Sequence, residues 1–77
     1  MKLEIDTEVD AAYVRIHEAK VASTKSLDSQ RIVDYDTNGK VAGIEFLAVS
    51  KGVNLYDLPF HYELAKLFEG RGFPVYA

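Results

Sequence analysis

Cysteine and tryptophan are absent from the 77 residues, and only two prolines and two histidines are present. Without cysteine there is no disulfide framework and no thiolate zinc site. The two imidazoles, His17 and His61, lack the paired spacing of a histidine zinc site, so no metal of that kind is expected. No apolar run approaches the ~18 residues of a membrane span, and none resembles the apolar stretch of a leader peptide. "MKLEID" passes directly into strand-like alternation, and the expectation is a soluble, cytoplasmic protein. A net charge of -3 and a pI near 5.2 give no general attraction to a phosphate backbone, so nucleic-acid binding by this chain alone is not expected. There is no Gly-rich phosphate loop before a helix and no serine in a nucleophile elbow. No catalytic residue and no cofactor are therefore assigned, and the expected protein is not an enzyme.

What is present is an apolar content of 48% distributed in two periodicities. "KLEI" alternates Leu3 and Ile5 against charged residues. After the turn-rich "TEVD", "AAYVRIH" alternates Ala12, Val14 and Ile16 against Tyr13, Arg15 and His17. "VASTKSL" has β-branched content but few large apolar groups, which suits an edge strand guarded by Lys25. "RIVDYD" and "KVAGIEFLAV" flank an Asn38-Gly39 turn. Near residue 50 the period changes. Asp57 and Pro59 read as N-cap and first turn of a helix whose apolar face is Phe60, Leu64, Leu67 and Phe68, ended by Gly70 or Gly72. No linker or repeat divides the chain, so residues 1–77 are expected to form a single α+β domain. Its plan is an antiparallel, mainly meander sheet of four to five strands, one C-terminal amphipathic helix packed on one face, and possibly a C-terminal edge strand from "FPVYA".

The stretch "DYDTNGKVAGIE", Asp34 to Glu45, also satisfies the calcium-loop pattern of an EF-hand. Such a loop needs helical flanks so that its ligands converge. Here both flanks alternate with period two, and the hairpin reading accounts for more of the sequence. A two-residue Asn38-Gly39 turn pairs Val33 with Ile44 and Tyr35 with Ala42. Asp34, Asp36 and Glu45 then share the other face as an acidic patch, weak candidates at most for a divalent cation. Arg15, projecting from its own strand on the same side, is the expected counter-charge.

Both faces of the predicted sheet carry large apolar groups. Ala12, Val14, Ile16, Val33, Tyr35, Ile44 and Phe46 fill the face assigned to the helix. Tyr13, Ile32, Val41 and Leu47 remain on the other. A fold this small buries only about 60 to 65% of its unfolded surface, so a partner for the second face is expected. The expected interaction surface is therefore Tyr13, Arg15, Ile32, Asp34, Val41, Glu45 and Leu47. The expected function is a non-catalytic protein-interaction or self-association module, a homodimer or higher even oligomer. The alternatives are completion of the face by a small basic protein and, more weakly, calcium binding in the Asp34–Glu45 loop.

Two motifs resemble a known family. Asp10-Ala11-x-Tyr13-Val14-Arg15 after an acidic turn, and Asp34-Tyr35-Asp36-x-x-Gly39 followed by Gly43-Ile44-Glu45, are similar to those of domain-of-unknown-function family 2283, and the resemblance runs over nearly the whole chain. Thr7 departs from it, where members often carry proline. The resemblance implies a compact β-rich prokaryotic protein and brings no established activity. Some relatives are suspected antitoxin-like partners of small basic toxins, and an acidic chain suits that role.

Overall fold

The computed structural model describes residues 1–76, which group into two compact units, Met1–Leu47 and the residues from Ala48 onward. The first unit is a five-stranded antiparallel sheet. Its strands are β1 (Lys2–Asp6), β2 (Ala11–Arg15), β3 (Ser23–Ser26), β4 (Arg31–Tyr35) and β5 (Val41–Leu47). They lie in the order β1-β2-β5-β4-β3. β3 to β5 follow one another as a meander, whereas β2 pairs with β5, so the chain crosses from mid-sheet to the far edge between β2 and β3. β3 is an edge strand as its composition predicts, with Lys25 set opposite Val33.

Register sorts the side chains. One face carries the cross-strand row Leu3, Val14, Ile44 and Val33 and, beside it, the row Ile5, Ala12, Phe46 and Arg31. Val14, Ile44, Val33, Ala12 and Phe46 are buried, each large one contributing roughly 1.5–3 kcal/mol. Ile16 and Tyr35, expected in this core, are only half-buried. Arg31 is the unforeseen member: it is 8% exposed, and its guanidinium meets Asp28 Oδ2 at 2.9 Å through Nη2 and 3.0 Å through Nε. Asp28 also accepts the Gln30 N–H at 2.9 Å. That backbone bond, followed by the Arg31 contact, holds its carboxyl below the ordinary carboxylate range.

The β4–β5 hairpin departs from the expected two-residue turn. Asp36 N–H donates to Lys40 O at 2.8 Å and Gly39 N–H to Asp36 O at 3.0 Å, with Gly39 at φ 78°. This is a three-residue loop closed by a left-handed glycine. The loop alone would slip the register by one residue. A bulge at Asp34/Tyr35 takes up the slip, so Val33 faces Ile44 as expected while Tyr35 faces Val41 instead of Ala42.

The second unit opens with a 3-10 turn at Val49–Lys51, then β6 (Val53–Asn54), α1 (His61–Gly70) and β7 (Val75–Tyr76). β7 pairs in parallel with β6, so "FPVY" forms a small sheet of its own in place of an edge strand; Ala77 lies outside the described residues. α1 starts later than the sequence suggests. Asp57 and Phe60 both have positive φ, and Phe60, in the N-cap position, is exposed rather than part of the buried face. Leu64 and Phe68 are buried, and Leu67 half-buried. The helix ends as predicted through glycine. Gly72 at φ 85° donates to Glu69 O, and Phe73 N–H reaches Phe68 O, both at 3.0 Å. The Phe73 ring meets the Phe68 ring edge-on at 6.1 Å, the apolar contact that accompanies a Schellman stop.

Ala48 also has a left-handed backbone, at φ 54°, where a Cβ is unfavourable. Ala48→Gly is expected to raise the free energy of unfolding by up to about 1 kcal/mol, read from the urea midpoint at constant m-value.

Candidate interaction surface

The sheet face opposite the buried rows is built from two cross-strand rows. The first runs Glu4, Tyr13, Glu45, Ile32, Ser26 and the second Lys2, Arg15, Gly43, Asp34, Thr24. Tyr13 ties them together. Its phenol crosses Gly43, where an added Cβ would collide with the phenol oxygen and ring, and Oη donates to Asp34 Oδ2 at 2.8 Å. Thr24 Oγ1 donates to the other oxygen, Oδ1, at 2.7 Å. One carboxylate thereby fastens β2 and β3 to β4, with the glycine on β5 clearing the way. Burial, then the Asp34 bond and its charge, push the Tyr13 phenol up to about 12.

Arg15 does not neutralise Asp34 and Glu45 as expected. Its guanidinium lies 5.8 Å from the Tyr13 ring centroid, and its Nε approaches Glu18 at 3.9 Å across an exposed pair. Such a pair is worth only about 0–1 kcal/mol. The acceptors of Asp34 are filled by hydroxyls instead. Glu45 lies between Tyr13 and Ile32, directly across from each.

Of the expected interaction surface, the register brings Tyr13, Arg15, Ile32, Asp34 and Glu45 into these rows and sets Leu47 beside them, across from Ala11. Val41 faces Tyr35 beyond the bulge and does not join them. Tyr13, Ile32 and Leu47 are half-buried rather than exposed, so the surface is a mixed one and not a bare apolar patch. Beside Tyr13 lies a shallow open depression of about 200 Å³, lined by Glu4, Asp6 and Glu45 together with Ile5, Val9, Ala11 and Ala12. Glu4, Asp6 and Val9 were not assigned to this surface from the sequence, where Glu4 with Asp6 reads as an ordinary carboxylate pair on a solvated strand face and Val9 as part of the turn that follows.

The candidate calcium ligands are deployed differently from an EF-hand. Asp36 Oδ1 accepts the N–H groups of Asn38 at 2.8 Å and Lys40 at 3.0 Å, and Oδ2 faces His17 Nε2 at 3.1 Å. The Lys40 bond, and after it the His17 contact, hold this carboxyl below its usual range. Asp36 is thus the clasp of the hairpin loop, Asp34 the clasp of Tyr13, and both flanks are strands. His17 is exposed but partnered by this carboxylate.

Gly43→Ala is expected to displace the phenol and destabilise the protein by roughly 1–3 kcal/mol in urea denaturation. Tyr13→Phe should cost about 1 kcal/mol at neutral pH. The neutral phenol is favoured in the folded state, so the contribution is complete below about pH 10 and is lost as pH rises to about 12. Ultraviolet titration should show a tyrosinate step near 12 that Tyr13→Phe removes. Calorimetry with calcium is expected to give no stoichiometric micromolar site; such a site, abolished by Glu45→Gln, would contradict the hairpin assignment.

Three comparisons bear on relationship. A family model described as "Protein of unknown function (DUF2283)" matches residues 2–50. An uncharacterized protein of Methanocaldococcus jannaschii, MJ0789, is 39% identical over 61 residues, covering 75% of this chain and 53% of that protein. The chain thus spans about half the length of this curated relative. No solved structure matches it.

Proposed function

The chain belongs to the DUF2283 family of proteins of unknown function, and within that family we propose that it is a non-catalytic interaction module working through the sheet face around Tyr13. The observation that carries this reading is the fastening of Tyr13. An aromatic side chain held in one rotamer by Asp34 and by the absence of a Cβ at Gly43 loses little entropy when a partner covers it. Interface hot spots favour such residues. The elevated phenol pKa supports binding over chemistry, because a tyrosine that resists ionisation is a poor base or nucleophile near neutrality.

The surroundings indicate the partner's chemistry. Glu4 and Glu45 flank the ring, and Asp6, Val9 and Ala11 also line the depression. A lysine or arginine side chain suits this lining, its methylenes against Val9 and Ala11 and its charge among the carboxylates. Self-association into a dimer or higher even oligomer and capture of a small basic protein are the two uses of such a surface. An antitoxin-like role is a case of the second.

The test is an amide-shift titration with a short arginine-containing peptide. Shifts are expected at Glu4, Ala11, Tyr13 and Glu45, weakening with salt and falling about tenfold in affinity on Glu4→Gln with Glu45→Gln. Shifts spread over the surface and indifferent to those substitutions would contradict the reading.

A further inference from the structure

The two edges of the main sheet are managed differently. β3 is short, fully exposed, carries no large apolar side chain and sets Lys25 on the inward side, the usual protection against strand addition. β1 has no such guard. Its inward residues Leu3 and Ile5 are half-buried, and Met1 beside them is 46% exposed. On the outward side Lys2 stands directly opposite Arg15, a like-charge pair, while Glu4 begins the acidic row with Tyr13 and Glu45. Each copy therefore presents one basic row end, Lys2, and two acidic ones, Glu4 and Asp6, at the same strand edge.

We infer that β1 pairs antiparallel with β1 of a second copy about a two-fold axis at Leu3, joining two five-stranded sheets into one of ten. This register sets Lys2 against Glu4 of the second copy, twice by symmetry, and Leu3 against its own counterpart. Met1 falls against Ile5. Outside, the unbalanced Arg15–Lys2 row continues into the Glu4–Tyr13–Glu45 row of the other copy. Inside, the apolar rows run on across the axis. Moving the axis to Glu4 would also make two opposite-charge pairs, Lys2 with Asp6, but would set the two glutamates against each other on the axis, so charge selects the first register. The inference rests on the self-association part of the function proposed above and supplies its surface: the basic side chain that reaches the acidic depression is Lys2 of the second copy. Two five-residue strands make an interface near or below the ~1,200 Å² of weak complexes, so the dimer is concentration-dependent.

Charge exchange tests it, read by light scattering across a series from micromolar to millimolar protein. The parent is expected to dimerise. Lys2→Glu and Glu4→Lys, each placing like charges across the axis, should each weaken the dimer at least about tenfold. The double exchange K2E with E4K should restore it. Lys2→Glu also removes the like-charge pair with Arg15, so circular dichroism should show it folded. A dimer indifferent to the exchanges overturns the β1 pairing but leaves self-association through another surface. A double variant that stays dissociated overturns the register and the pairing with it. A parent monomeric at every concentration overturns the pairing and self-association together, while the peptide titration reports separately on the Tyr13 surface.

Discussion

One hydrogen bond organises the outer face of this sheet, that from Tyr13 Oη to Asp34 Oδ2 at 2.8 Å. It spans two strands that are not neighbours, because β5 lies between them, and it exists only because β5 places Gly43 at the crossing point. Thr24 completes the carboxylate from the edge strand at 2.7 Å. Four strands are thus committed to one polar cluster on a face that would otherwise be a loose array of charges. A second tyrosine-over-glycine contact occurs in the other unit, where the Tyr76 ring covers Gly52 and its Oη donates to Lys51 O at 3.0 Å. In both places, within strand β5 at Gly43 and just before β6 at Gly52, a glycine is roofed by an aromatic ring.

The cluster reassigns the charges of the face. Asp34, which looked like a ligand or an ion-pair partner, is consumed as a double acceptor, and Asp36 is consumed by its own loop and His17. Glu4 and Glu45 are left to line the depression at the β1 side, with Asp6, whose Oδ1 accepts the Glu8 N–H at 3.0 Å, beside them, and Lys2 and Arg15 stand opposite one another as a basic pair. This separation of sign across a few ångströms gives the surface its polarity. Strand-edge charges set register and partner more than they add affinity.

Much of the frame was legible because it depends on local period. Alternation located the strands, and the inward Lys25 with a polar run marked β3 as an edge. Val33 opposite Ile44 was expected from a two-residue turn, and it holds only because the bulge offsets the three-residue loop. The bulge itself was not legible, because one extra residue on β5 leaves the alternation of either flank intact and is detectable only where they meet. Pairing of β2 with β5 and the approach of Tyr13 to Asp34 are non-local, and Gly43 was their sole trace in the sequence. Arg31 escaped notice because its inward position is matched by a counter-charge, Asp28, that lies three residues away in the turn. The helix start was misplaced because Asp57 and Pro59 have the residue types of a cap, whereas the left-handed backbone at Asp57 and Phe60 leaves them in the turn before it.

The claim on which the account depends is that Tyr13 is held in place before any partner arrives. Proton magnetic resonance of the free protein at neutral pH tests it directly, through the phenolic hydroxyl of Tyr13. A resolved, slowly exchanging hydroxyl resonance with cross-peaks to the Gly43 and Thr24 protons and a single side-chain rotamer is expected. Rapid exchange with solvent and rotamer averaging at Tyr13 would contradict it.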